Sequence, residues 1–258
     1  MKTLEEKVKI KTGNNHELAA VIHHPTKDDG KLAILLPGYL DTKGHKHMRH
    51  HAKALAKHGL TAVRFDPAGT WESGGEIEQY SITQYLKDVS AVVAFMYTKN
   101  NYDNCVIIGH SLGGLVAIQY ASQDQRVSEV ISIMSPQTMK LSAQLEKELQ
   151  HGGVRVSHRD IPGKKEEKEF RVPYPMFEDA KQYDTAKILP HIQIPKLFIA
   201  GELDDKVVPS KVRELHDAAC SPKKFAVLHN IGHDYRHNTK EIAVVNREIV
   251  DFLKEYQK

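Results

Sequence analysis

The chain has 258 residues, 40% of them apolar and 27% charged, with a formal net charge of +3. This is enough apolar chain to bury a sizeable core around one sheet, and it excludes wholesale disorder. The small positive excess is spread over scattered lysines with no recognition motif, so no nucleic-acid partner is expected.

Residues 1–11 carry a charge every two or three positions and have no apolar core of the kind a secretory signal needs. No stretch approaches the roughly 18 apolar residues of a membrane span, so no membrane role is expected. Two cysteines, Cys105 and Cys220, are too few for a disulfide framework and read as reduced thiols of a cytoplasmic protein.

In chain order, residues 8–11 and 18–23 are short strands flanking Gly13-Asn14-Asn15, a turn cluster that predicts an opening hairpin. Residues 32–36, 61–65, 106–108, 130–134, 197–200 and 225–228 are short apolar runs. Helical patterns at 47–58, 82–97, 115–121, 210–219 and 240–256 alternate with them. That alternation predicts an α/β fold, a mostly parallel twisted sheet with helices on both faces. Residues 137–190 break the rhythm with a polar helix at 139–149, a Gly- and charge-rich loop at 151–169 and a second helix near 177–188. They are expected to form a lid inserted into a single domain spanning 1–258, rather than a separate domain.

The strand ending Cys105-Val106-Ile107-Ile108 runs into Gly109-His110-Ser111-Leu112-Gly113-Gly114 and then an apolar helix start. A serine on a tight strand-to-helix turn needs small flanking residues, because side chains there would strike neighbouring backbone. The helix that follows points free N–H groups toward developing negative charge. The pentapeptide G-x-S-x-G alone arises by chance in roughly one chain of this length in ten, so its context decides.

With that context the sequence resembles the α/β-hydrolase superfamily, from residue 32 to the C-terminus, and among its members the small-ester and cinnamoyl-type esterases. The resemblance implies a nucleophile, acid and base in the order Ser, Asp, His. Ser111 would be the nucleophile. Gly201-Glu202-Leu203-Asp204-Asp205-Lys206-Val207-Val208-Pro209 matches the family's acid loop; counting from Gly201 favours Asp204, and counting back from Pro209 leaves Asp205 as the alternative. Ile231-Gly232-His233 after the last strand nominates His233, with His229 as a nearby decoy. The oxyanion donors implied are the main-chain N–H groups of Leu112 and Tyr39. The usual His-Gly-x of the latter loop is here Pro37-Gly38-Tyr39, so its internal hydrogen bonding must differ. Asp66 to Ser73 resembles the family's D-x-x-G-x-G-x-S loop, with Trp71 in place of the second glycine, and is expected to shape the pocket.

His47 and His51 have the i, i+4 spacing of a helical metal pair, but no carboxylate accompanies them in the pattern. They read as part of a solvated basic helix face, and no metal or other cofactor is expected. Arg155, His158, Arg159, Lys164 and Lys165 likewise read as solvated charge. The resemblance implies hydrolysis of a small-molecule carboxylic ester through an acyl-enzyme on Ser111. The same residues allow peptidase or thioesterase action, and a receptor using the pocket without chemistry is a further alternative. Oligomeric state and substrate are not legible.

Overall fold

A computed structural model of the chain describes residues 4–13 and 16–256. The elements run β1 (Leu4–Lys11), β2 (Glu17–His24), β3 (Lys31–Leu36), α1 (Lys46–Lys57), β4 (Leu60–Phe65), α2 (Ile82–Lys99), β5 (Asn104–His110), α3 (Leu112–Ala121), β6 (Glu129–Ile133), α4 (Ala143–Gln150), β7 (Val154–Asp160), β8 (Glu167–Pro173), α5 (Tyr174–Ala180), α6 (Thr185–Ile188), β9 (Lys196–Gly201), α7 (Pro209–Ala218), β10 (Lys223–Leu228) and α8 (Thr239–Tyr256). Asn14 and Asn15, assigned to the opening turn, lie outside the described residues.

Eight strands form one sheet in the order β1-β2-β4-β3-β5-β6-β9-β10. β1 and β2 pair antiparallel, as do β2 and β4, and every pair from β4 to β10 is parallel. The alternating apolar residues of β3 explain how the sheet is covered on both sides. Leu32, Ile34 and Leu36 join the core beneath α2, α3 and α7, whereas Ala33 and Leu35 join the one beneath α1 and α8. A strand buried on both faces reads as a continuous apolar run, the signal seen in the sequence. From β3 the chain passes to β4 on one side and then to β5 on the other. Their carboxyl ends therefore diverge and open a crevice, which is where Tyr39 and Ser111 emerge.

Residues 137–190 depart from expectation in their detail. The charged stretch 151–169 is no loop: β7 and β8 form an antiparallel two-stranded sheet, pairing Ser157 with Phe170 and Arg155 with Val172. Its alternation is inverted. Val156 is 44% exposed, while Arg155 and Arg159 turn inward over the Tyr39 ring at 5.6 and 5.5 Å from its centroid. A strand whose cations face in and whose valine faces out carries no apolar period to read. The helix expected near 177–188 is two helices, α5 and α6, because Asp184 caps a new start by accepting from the Ala186 N–H at 3.1 Å. Ser142 likewise caps α4, which begins later than 139.

Candidate active site

Ser111 lies between β5 and α3 with φ 52° and ψ −121°, a left-handed backbone that a non-glycine residue adopts only under strain. The glycines around it are forced by contact. A Cβ on Gly109 would lie 2.0 Å from the Gly113 carbonyl oxygen, and one on Gly113 would lie 2.3 Å from that of Leu36. The turn therefore packs backbone against backbone, and the Ser111 N–H is tied to the Ile133 carbonyl at 2.9 Å.

His233 Nε2 stands 3.0 Å from Ser111 Oγ, and its Nδ1 is 2.8 Å from Asp204 Oδ2. The second oxygen of Asp204 accepts from the main-chain N–H groups of Lys206 and Val207 at 2.9 and 2.8 Å. Asp204 is buried, fixed by the very loop that carries it. Asp205 points to solvent, and His229 pairs with Glu202 at the surface. Of the sequence candidates, the fold brings Ser111, Asp204 and His233 into one hydrogen-bonded line and leaves Asp205 and His229 outside it.

The Pro37-Gly38-Tyr39 loop crosses directly over the serine turn: a Cβ on Gly38 would lie 3.4 Å from Ser111 Cβ. The lost histidine is replaced by contacts from elsewhere. Tyr85 Oη donates to the Pro37 carbonyl at 3.0 Å, the Leu40 N–H donates to Tyr80 Oη at 3.2 Å, and Trp71 Nε1 donates to the Leu40 carbonyl at 2.8 Å. Trp71 has φ 48°, a conformation natural to the glycine it replaces, and that backbone turns its indole onto the loop. Arg159 Nε donates to the Tyr39 carbonyl at 3.1 Å, joining the β7–β8 hairpin to the same loop. Among the described residues, the main-chain N–H groups of Tyr39 and Leu112 have no acceptor within the protein, so both are free to donate to a bound oxygen.

The histidines of α1 contradict the solvated-face reading. His45 stands just before the helix without a side-chain capping bond, and it, His47 and His51 are all buried. His51 hydrogen-bonds Asn246 and Tyr235 at 2.6 and 2.9 Å. His47 packs against His110, the residue before the serine, and His110 lies beneath His233 with ring centroids 4.9 Å apart. Burial pushes both His47 and His110 well below the usual histidine pKa, and neighbouring cationic groups add to it. A carboxylate does join them after all: Asp41, His47 and His110 bring ligand atoms within 4.8 Å of one another. Asp41, however, is held by Arg236 at 2.7 Å, so a cation there would face a guanidinium. His110, Asp41 and Arg236 were not singled out from sequence; their signal is position, one residue before the serine, two after Tyr39 and three after His233.

A pocket of about 270 Å³ opens on Ser111, walled by Tyr39, Arg159, Lys206, Val207 and Arg236. Its rim is charged. A separate cavity of about 290 Å³, lined by Met139, Leu141 and Phe177 among others, lies within residues 137–190.

Comparisons with known proteins agree with this architecture. A family model described as serine aminopeptidase, S33, matches residues 30–150. The mitochondrial palmitoyl-protein thioesterase ABHD10 of Rattus norvegicus is 22% identical over 245 residues, covering 92% of this chain and 80% of that protein. Among solved structures, a putative hydrolase from Agrobacterium vitis S4 superposes with a TM-score of 0.78 at 18% identity, covering 98% of this chain and 99% of the other. Est1E from Butyrivibrio proteoclasticus, solved with ferulic acid bound, gives 0.77 at 18% identity over 96% and 98% of the two chains. Among the described residues, no helix is long and apolar enough to cross a membrane.

Proposed function

We propose that this chain, an α/β hydrolase by its fold, is a serine hydrolase that cleaves small carboxylic esters through an acyl-enzyme. The observation that carries the reading is the unbroken line from Asp204 through His233 to Ser111, with distances of 2.8 and 3.0 Å. His233 takes the Ser111 proton as Oγ attacks the carbonyl carbon, then gives it to the leaving group. Asp204 holds the imidazole in one tautomer and stabilises its charged form. The N–H groups of Tyr39 and Leu112 receive the tetrahedral oxygen, and a water attacking with His233 as base releases the acid. Residues 137–190 act as a lid, tied to the oxyanion loop through Arg159. The charged rim of the pocket favours short or polar substrates over long lipid chains.

A thioester substrate is the second reading, favoured by the similarity, over 92% of this chain, to a palmitoyl-protein thioesterase. Hydrolysis of p-nitrophenyl esters from acetate to decanoate, a hydroxycinnamate ester and matched thioester and amide substrates tests both. Activity that falls by about three orders of magnitude or more in Ser111→Ala is expected. An inert wild type that a fluorophosphonate probe also fails to label at Ser111 would sink the hydrolase reading and leave a binding protein.

A further inference from the structure

Beside the Ser111 pocket lies a second cleft of about 340 Å³, formed by one face of α1, the loop after His233 and the end of the β7–β8 hairpin. Its walls include Lys46, Arg49, Lys53 and Arg236, against a single carboxylate, Asp160. Two of those cations are already matched: Lys53 pairs with Glu5 at 3.2 Å, and Arg236 with Asp41 and Asp160 at 2.7 and 3.2 Å. The other two are not. Lys46 Nζ donates to the neutral His237 carbonyl at 3.0 Å, and Arg49 has neither an ion pair nor a side-chain hydrogen bond among the described residues. The cleft also receives the start of α1, where no side chain caps the helix and no acidic residue occupies the first turn. The concave site therefore holds two cations, Lys46 and Arg49, that no anionic group among the described residues pairs with. His50, in the same wall, is held below the usual histidine pKa by burial and then by Lys53, Arg49 and Lys46.

Arg236 lines both this cleft and the pocket over Ser111, so the two cavities adjoin across one side chain. Arg236 follows His233 by three residues in the same turn. The leaving group must depart on the side of His233, which protonates it. We propose that the cleft binds a phosphate group carried by the leaving-group half of the substrate, a refinement that rests on the ester or thioester reading above. In the reaction, the Ser111 Oγ–carbon bond forms, the carbon–oxygen or carbon–sulfur bond to the leaving group breaks, and the Ser111 proton passes through His233 to the departing atom. The phosphate stays intact and serves only as a handle.

Two matched pairs with different spacers test this: 1-butyrylglycerol with its 3-phosphate, and S-butyryl-pantetheine with its 4′-phosphate. Wild type is expected to favour the phosphorylated member of at least one pair by about tenfold in kcat/KM, the scale of one retained charge interaction. That preference should vanish in Lys46→Glu/Arg49→Glu and shrink in about 0.5 M sodium chloride. Pyrophosphate binding by calorimetry, read on the same two proteins, needs no turnover. Esters cleaved with no phosphate preference in either pair overturn the leaving-group assignment. Should neither pair be cleaved, the hydrolase reading is decided separately by the p-nitrophenyl series and the fluorophosphonate probe, and pyrophosphate decides the cleft: binding lost in the double variant keeps a phosphate site, and no binding to wild type removes it. The milder Lys46→Ala/Arg49→Ala pair, which adds no charge, guards against a folding defect and should lose most of the preference.

Discussion

The serine turn and the β7–β8 hairpin both touch the Pro37-Gly38-Tyr39 loop, and they are built on opposite logics. At the turn, backbone meets backbone. Gly109, Gly113 and Gly114 each have a main-chain atom or the Ser135 side chain within 3 Å of where a Cβ would stand, so residue choice is dictated within six positions. In the hairpin the main chain has room, and a Cβ on Gly163 at its tip would meet nothing within 4 Å. What fixes the hairpin is its partners: Arg155 and Arg159 over Tyr39, and Phe170 against Trp71 at 5.5 Å. A rigid turn holds Ser111 in place, and a hairpin held by side chains is free to vary the surface it presents beside it.

The largest effect that would break this contrast lies in the acid loop. Asp204→Asn should lower kcat about 10⁴-fold by losing the preferred imidazole tautomer, whereas Asp205→Asn should leave the rate within about twofold. Equal effects on the two variants in steady-state kinetics would mean the hydrogen-bonded line is not the working one.

Acid should act next, through the buried histidines. Burial pushes His51 to about 4, and burial with Arg64 does the same to His23, while His47 and His110 are also held neutral. Their folded values lie below the unfolded value of 6.5, so the unfolded chain binds more protons as the pH drops. Stability is therefore full above about pH 6.5 and is lost as pH falls toward 4, by up to about 1.4 kcal/mol per pH unit for each group. Asp88, pushed by burial up to about 7, works in the other direction, since its folded form takes up a proton first. Four groups outweigh one, and urea midpoints at pH 7, 6 and 5 should fall in that order; a flat series would refute buried neutral histidines.

Glycine replacements then sharpen the comparison itself. Gly109→Ala should cost about 3 kcal/mol or more, because the new Cβ overlaps a main-chain carbonyl. Gly163→Ala, with φ +80° but open space, should cost about 1 kcal/mol, the strain of a left-handed alanine. Urea unfolding measures both. The smallest expected change is Arg159→Ala, which removes one hydrogen bond to the Tyr39 carbonyl and one cation–ring contact, a loss of about 1 kcal/mol or less in the same experiment.

Legibility in the sequence followed the same division. The β-strands beneath both helical layers are visible as apolar runs and the serine turn as a local backbone arrangement, while the acid loop and Gly232-His233 are visible through the resemblance to α/β hydrolases. The hairpin was hidden because its cations face inward. The α1 histidines were misread as solvated because their burial depends on Tyr235 and Asn246, almost two hundred residues away. Likewise, the replacement of a loop histidine by Pro37 pointed to altered hydrogen bonding without saying where it came from; Tyr80, Tyr85 and Trp71 supply it from a different segment.

By itself, then, the sequence determined the strands, their helical cover and the tight turn at Ser111, since strand periodicity and tight-turn sterics act over a few neighbouring positions, while the resemblance to α/β hydrolases nominated His233 and a pair of aspartates. Only the tertiary structure decided which aspartate reaches His233, what pins the Pro37-Gly38-Tyr39 loop, and that a cleft with two unpaired cations adjoins the serine pocket. Those depend on side chains brought together across the chain, where distance and burial, rather than spacing, set the chemistry.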